Sequence, residues 1–414
     1  MDKAKPFCIA KRDVWEAYKR VKANRGAAGV DGESIATFES DLKNNLYRIW
    51  NRMSSGSYFP PPVRRVDIPK DGGKTRPLGI PTVSDRIAQT VVQRYLEPIL
   101  EPVFHVDSYG YRPGRSAHDA LAAARQRCWR HDWVIDLDIR SFFDEIDREL
   151  LMRAVRRHTD CAWVLLYIER WLQAPVSMPD GTLVNREKGT PQGSVVSPIL
   201  ANLFLHYAFD TWMRRKYPAC PFERYADDAI IHCDSEHQAR QLLDMLRQRF
   251  AECGLELHPQ KTRIVYCEDA NRQGNYPELQ FDFLGYTFRP RGAMSRAGKM
   301  FVSFIPAVSA KAMKSMRSVL RRWKLSHRGD LDLEVLVEWL QPIVRGWVNY
   351  YGRFCPSRLY RALRMVDDLL VRWALRKYTG RKKQAAWAWE WLKRLRSKQP
   401  TLLPHWQLVA AVGR

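Results

Sequence analysis

Residues 133 to 139 read WVIDLDI, and a strand through them sets Asp136 and Asp138 on one face with Ile135, Leu137 and Ile139 on the other. Two acids on a strand whose reverse face is apolar need a reason, because an unpaired buried carboxylate is costly. A bound cation supplies one; solvation along an edge strand is the plain alternative. The second decisive stretch is FERYADDAII, residues 222 to 231, where two apolar runs flank Asp227-Asp228. Adjacent acids arise often by chance at this composition, and Asp367-Asp368 is read as one such pair. What distinguishes Asp227-Asp228 is its setting at the tip of a hairpin expected over 222–233. Three acids from two strands suit hard divalent cations, which prefer carboxylate, water and phosphate oxygens. Two such ions favour an in-line phosphoryl displacement, one activating a 3′-hydroxyl and the other holding a triphosphate. The chain has no GxxxxGK[ST] loop, which excludes P-loop handling of a triphosphate.

Around these strands the pattern is mixed. Val14, Ala17, Tyr18 and Val21 fall at helical spacing, a Gly-rich turn follows, and a second helix is expected over 35–53. Pro60, Pro61 and Pro62 lead into a strand over 63–68 that ends at Asp71-Gly72-Gly73. Ser116 reads as the N-cap of a helix, and Ser197-Pro198 as N-cap and first turn of another. Beyond about residue 307 the chain turns basic, helical and Trp-rich, with Leu336, Leu340, Ile343 and Trp347 on one face.

Charge singles out the same region. The chain of 414 residues carries a formal +23, and residues 301–414 hold 23 Lys and Arg against 7 Asp and Glu, leaving +16 there. Such asymmetry implies a polyanionic partner, most simply nucleic acid. The eight cysteines are scattered without a CxxC pair, against a zinc module or disulfide framework and in keeping with a reducing cytoplasm. No signal peptide and no apolar run of membrane-spanning length are seen, so a cytoplasmic protein with no membrane partner is expected.

Eight ordered segments resolve the class. They are VRRVDIPKDGGKTRPLGIPTVSDRIAQ (63–89), DSYGYRPGRSAHDAL (107–121), DLDIRSFFDEID (136–147), GTPQGSVVSPILANLFL (189–205), RYADDAII (224–231), LELHPQKT (255–262), FDFLGYTF (281–288) and IVRGWVNYYGRF (343–354). Through them the chain resembles the group II intron reverse transcriptases, also called maturases, over nearly its full length. The resemblance implies an α+β right-hand polymerase, with fingers and a palm built on an antiparallel sheet, followed by an α-helical thumb or maturase domain. The expected division is a helical extension at 1–60, fingers and palm at 61–305, a thumb at 306–380 and a basic Trp-rich tail at 381–414.

Roles follow residue by residue from the same resemblance. Asp138, Asp227 and Asp228 are the expected catalytic carboxylates for two Mg2+ ions, Ile139 lends a backbone carbonyl, and Asp136 supports. Lys70, Arg76 and Lys261 are expected at the incoming dNTP, with Gln192 and Gly193 as the nucleotide and template platform. Phe143 is the expected barrier to a ribose 2′-hydroxyl, although Phe142 or Phe143 could equally be a core ring. His258 stands where the family usually has Asn. Leu284 and Gly285 match the segment holding the primer end of an RNA template/DNA primer duplex. Arg345, Arg353, Arg358 and Arg361 are candidate contacts to structured intron RNA, by phosphate rather than base recognition. For the tail tryptophans, packing is favoured over base stacking. No cysteine follows Cys355, so the Cys- and His-bearing endonuclease of many relatives is not expected.

The implied activity is RNA-directed DNA synthesis, with assistance to splicing and mobility of the intron RNA. Two alternatives stay open at this stage: a domesticated relative in DNA repair or phage defence, and an RNA-binding splicing cofactor without polymerase activity. An RNA-dependent RNA polymerase is disfavoured by Phe143, and a nucleotide cyclase needs neither the PQG segment nor a basic thumb.

Overall fold

The computed structural model describes residues 5–69, 75–295, 297–325, 328–378 and 385–408. The chain forms two compact units. The first comprises Met1–Ser116, Ile135–Ile231 and His237–Arg263; the second comprises Ala117–Val134, His232–Glu236 and Ile264–Arg414.

Helix α1 (Lys11–Ala23) buries Val14, Ala17, Tyr18 and Val21, the stripe that the spacing predicts. The single helix expected over 35–53 is instead two, α2 (Ile35–Glu39) and α3 (Leu42–Ser55). Ser34 caps α2 by accepting the Thr37 N–H, and the non-helical backbone of Asp41 breaks the run and restarts it. Strands β1 (Val63–Pro69) and β2 (Thr75–Ile80) pair antiparallel, with Arg64 opposite Ile80 and Ile68 opposite Arg76. Helix α4 (Val83–Leu100) is buried almost all round over its first ten residues, its polar Asp85, Arg86, Gln89 and Thr90 included.

The chain continues through α5 (Ala117–Cys128), β3 (Trp133–Asp138), α6 (Phe142–Glu145), α7 (Arg148–Arg156) and α8 (Ala162–Gln173). Then come β4 (Val176–Ser177), β5 (Leu183–Val184), α9 (Ser197–Leu205), a π-helical turn (His206–Asp210) and α10 (Thr211–Lys216). Helix α9 begins one residue earlier than expected: Val196 is its N-cap, and Ser197 hydrogen-bonds Thr190 through the two hydroxyls at 2.6 Å. The expected hairpin is β6 (Phe222–Tyr225) and β7 (Asp228–Cys233), followed by α11 (Glu236–Glu252) and β8 (Arg263–Tyr266).

The described strands form three sheets. One has the order β2-β1-β4-β5, and another the order β6-β7-β3-β8. Because β3 is an interior strand, the edge-strand alternative for its acids fails: Asp136 is 8% exposed and has Arg263 as an ionic neighbour at 3.7 Å. The third sheet, in the second unit, joins β9 (Phe281–Phe283), β10 (Tyr286–Met294) and β11 (Met300–Val308) antiparallel in the order β11-β10-β9.

Besides α5, the α-helices of the second unit among the described residues are α12 (Ala310–Arg322), α13 (Leu333–Tyr351), α14 (Pro356–Lys377) and α15 (Ala385–Lys398). The buried stripe of α13 is Leu336, Leu340 and Val344, with Ile343 and Trp347 only half-buried beside it. These pack with Leu359, Leu363, Val366, Leu370 and Trp373 of α14. Ala388, Leu392, Leu403, Trp406 and Leu408 belong to the same core, so the segment read as a tail contributes its interior side chains to the helical unit. Trp387 and Trp391 pack against that core while Trp389 remains 40% exposed. Asp367 is buried, accepting the Trp406 indole N–H at 2.8 Å and hydrogen-bonding His405 Nε2 at 3.0 Å.

Candidate active site

Asp138 ends β3, and the segment after α11 clamps it. Its carbonyl accepts the His258 N–H at 2.8 Å, and the Thr262 hydroxyl lies 3.3 Å from both its N–H and its carbonyl. Lys261 Nζ sits 3.0 and 3.2 Å from the two carboxylate oxygens. The segment LELHPQKT therefore delivers a lysine to the Asp138 carboxylate. His258 Nδ1 accepts the Gln260 N–H at 3.3 Å, which is how an Asn oxygen at that position could close the same turn. Ile139 is buried and bridges Leu257 as an isolated pair.

Asp227 lies in the two-residue loop between β6 and β7, where Tyr225 stands opposite Asp228. Ala226 has φ +59, a strained value for a residue with a Cβ, and the surroundings enforce it. Arg224 lies beneath the loop, 1% exposed. It donates to both carboxylate oxygens of Asp210 (2.7 and 2.6 Å), to Asn202 Oδ1 and to the Ala226 carbonyl (both 2.9 Å). Gly110 closes the other side: a Cβ there would lie 2.3 Å from the Ala226 nitrogen. The π-helical turn that delivers Asp210 is the kind of local insertion that gathers at functional sites.

Burial pushes the Asp227 carboxyl above its ordinary value, and the Asp138 carboxylate pushes the same way. Its own backbone N–H, Arg76 and Arg224 pull against them. Two strands thus bring two anions into one electrostatic neighbourhood, and Arg76 of β2 joins them. Tyr111, at φ +57, reaches the same place: its hydroxyl is raised first by burial and next by Asp227. Lys70 lies outside the described residues.

Among the described residues, no three His, Cys, Asp or Glu side chains are grouped as a metal cage. The donor chemistry nonetheless suits a hard divalent cation, which binds carboxylate oxygens and completes its shell with water and substrate phosphate. Crowded anions on a rigid hairpin and a strand end meet that requirement.

Of the two adjacent rings, Phe142 is in the core (2% exposed) and Phe143 is partly open. The Phe143 carbonyl accepts the Thr190 N–H at 2.8 Å, and a Cβ on Gly189 would lie 2.7 Å from that carbonyl. The PQG loop is therefore built against α6. It is tied equally to β2, since the Gln192 carbonyl accepts the Gly79 N–H at 2.6 Å and Gly193, at φ +100, lies against the Gly79 carbonyl. Arg76, Phe143, Gln192 and Gly193 accordingly stand on elements bonded to one another.

In the second unit Leu284 and Gly285 both have positive φ, +50 and +79. The thumb motif holds this turn: Tyr350 OH donates to the Leu284 carbonyl at 2.9 Å, Tyr286 OH donates to the Tyr350 carbonyl, and Tyr351 packs over Gly285. The aromatics of WVNYYGRF thus act by packing. Arg345, Arg353, Arg358 and Arg361 are all exposed.

The sequence profile described as Reverse transcriptase (RNA-dependent DNA polymerase) matches residues 68–288, and that described as Group II intron, maturase-specific domain matches residues 313–395. The chain belongs to the group II intron reverse transcriptase family. It is 36% identical to the Group II intron-encoded protein LtrA of Lactococcus lactis subsp. cremoris, over 81% of this chain and 68% of LtrA. It is 32% identical to Protein YkfC of Escherichia coli K12, over 77% of this chain and 90% of YkfC. A solved telomerase of Candida albicans shares 13% identity at a TM-score of 0.44, over 88% of this chain and 66% of that one.

As a member of this family the chain is an RNA-directed DNA polymerase with a maturase domain, and the family uses divalent metal ions and RNA partners. Among the described residues, no helix is long and apolar enough to cross a membrane. Sequence reading assigned no role to Tyr111, Asp210, Asn202 or the side chain of Arg224. Tyr111, Asn202 and Arg224 fall inside the quoted family segments, which was the available signal; nothing marked Asp210.

Proposed function

We propose that Asp138, Asp227 and Asp228 hold two Mg2+ ions for RNA-templated addition of dNTPs to a DNA primer, with release of pyrophosphate. The observation that carries this reading is the Asp227 carboxyl on an anchored turn, within the field of Asp138. Bound divalent ions supply activation of the primer 3′-hydroxyl and neutralisation of triphosphate charge. The chain's own residues do the rest. Arg76, with Lys70, grips the triphosphate as a planar fork and a point charge. Lys261 stands at Asp138 and offers a further cation to the phosphates. Gln192 and Gly193 support the nascent pair, Phe143 excludes a 2′-hydroxyl, and Leu284-Gly285 holds the primer end. Ile139 contributes its backbone carbonyl alone.

The same chain binds structured group II intron RNA through Arg345, Arg353, Arg358 and Arg361 and assists its splicing. The maturase-specific match over 313–395 and the exposure of these four residues favour that second role. The working division is extension 1–60, fingers and palm 61–305, thumb 306–380 and basic segment 381–414.

Primer extension on an RNA template with dNTPs and Mg2+ tests the first part. The parent should extend and Asp227→Ala should not. Extension surviving in Asp227→Ala would remove that residue from the site. A parent that binds structured RNA tightly but never extends would leave only the splicing role.

A further inference from the structure

The platform loop hangs from two places, and one has no part in the site described above. At one end the Gln192 carbonyl is fixed by Gly79. At the other, just past Gly193, three donors converge on a single oxygen of a buried helix side chain. Gln89 Oε1 accepts the Ser194 hydroxyl at 2.5 Å, the Val195 N–H at 2.7 Å and the Val196 N–H at 3.3 Å. Gln89 is 1% exposed and sits on α4.

A glutamine amide has two unlike ends, and only the oxygen can serve three donors. Something must hold it the right way round. That partner is Asp85, one turn earlier on α4 and also 1% exposed. Its Oδ2 accepts Gln89 Nε2–H at 2.8 Å, while its Oδ1 accepts the Tyr58 hydroxyl at 2.9 Å and the Trp171 indole N–H at 2.7 Å. A carboxylate can only accept, so with Asp85 ionised the amide nitrogen of Gln89 must face it and the oxygen must face the loop. Among the described residues, all three donors to Asp85 are neutral. A buried anion without a cation is an expensive way to pack a helix, so simple packing is a poor account of it.

We propose that Asp85 and Gln89 are positioning residues for nucleotide addition: Asp85 orients the Gln89 amide, and Gln89 sets the placement of the Gln192-Gly193 platform. This rests on the assignment of that platform to the incoming nucleotide. It adds a chain of acceptors and donors running from the centre of the first unit to the loop, with the direction of each bond fixed by chemistry.

Directionality makes the proposal testable by exchange. Asp85→Asn places an amide nitrogen opposite the Gln89 nitrogen, which reverses the Gln89 amide and turns donors toward the donors of Ser194, Val195 and Val196. Gln89→Glu alone sets two carboxylates face to face. The double variant restores an acceptor for every donor, because the amide at position 85 donates to the carboxylate at 89, which still accepts from the loop. RNA-templated extension by the full chain, read as KM for dNTP and kcat separately, decides the matter. Each single variant should raise KM about tenfold with a smaller change in kcat, and the double variant should return KM to within about twofold of the parent. Gln89→Met covers the case of a single variant that does not fold: it removes the loop's acceptor while leaving Asp85 its Tyr58 and Trp171 partners, and should raise KM likewise. An extending parent with no rescue in the double variant, or with an unchanged KM in Gln89→Met, overturns the proposal and leaves the polymerase reading intact. A parent that does not extend overturns both.

Discussion

Phe143 and Asp85 show what a single side chain decides in this molecule. Phe142 takes the core position, which leaves the Phe143 ring partly open on the α6 turn that supports the PQG loop. Phe143→Ala should therefore raise incorporation of ribonucleotides relative to deoxynucleotides in competition assays. Unchanged discrimination would return that ring to a packing role. Asp85 makes a different kind of prediction. Burial pushes its carboxyl from 3.8 up to about 6, against the opposing hydrogen bonds from Trp171, Tyr58 and Gln89. The folded chain thus keeps a proton that the unfolded chain releases near the ordinary value, so this group's contribution is most favourable at low pH and is lost as pH rises through about 6. Between about pH 4 and about pH 7 the parent should lose about 2 kcal/mol of unfolding free energy relative to Asp85→Asn, measured by denaturant titration. A difference that stays flat across that window would mean that the carboxyl is not held in so dry a place.

At the scale of elements, the β6–β7 hairpin is governed from below. Arg224 and Asp210 are 1% and 0% exposed at their side chains, so removing one charge strands the other. Asp210→Asn should cost about 3–5 kcal/mol in unfolding free energy and abolish extension. An apolar pair, Arg224→Met with Asp210→Leu, should recover most of the stability, since buried ion pairs exchange well for hydrophobic ones. Extension should stay low, because the bond from Arg224 to the Ala226 carbonyl goes with the charge. Recovery of extension along with stability would mean that the turn needs no anchor. The same scale shows what a sequence reader can and cannot see. Strand β3 and the hairpin were legible because acids interrupt apolar alternation there, and the family motifs then named their roles. The break at Asp41, the Val196 cap of α9 and the burial of Val344 in place of Ile343 were not, since each depends on local backbone or tertiary packing that spacing leaves open. Asp85, Gln89 and Arg224 were missed for a sharper reason: polar residues in a helix or strand pattern are read as solvent-facing, and here they face inward.

For the whole molecule, the formal charge of +23 is a statement about partners more than about folding. Affinity for structured RNA should fall linearly on a log–log plot against salt. Replacing Arg345, Arg353, Arg358 and Arg361 together by Ala should lower that slope by about 3, at roughly 0.7–0.9 for each phosphate left without its arginine. Thermal stability should hardly change, as all four lie on the surface. An unaltered slope would place the RNA on other basic residues. Extension on a preformed duplex at low salt should survive the four replacements, which separates the RNA-binding role from the chemistry.

The orientation lock between Asp85 and Gln89 also bears on how such a chain can drift over generations. Aspartate and asparagine codons differ by a single base, as do those of glutamine and glutamate, so either half of the exchange is within easy mutational reach. Either half alone weakens use of dNTP if the two amide ends must match. A lineage would have to cross a fitness valley to reach a partner arrangement that works as well as the one it left, so the present pair is held by history as firmly as by hydrogen bonds.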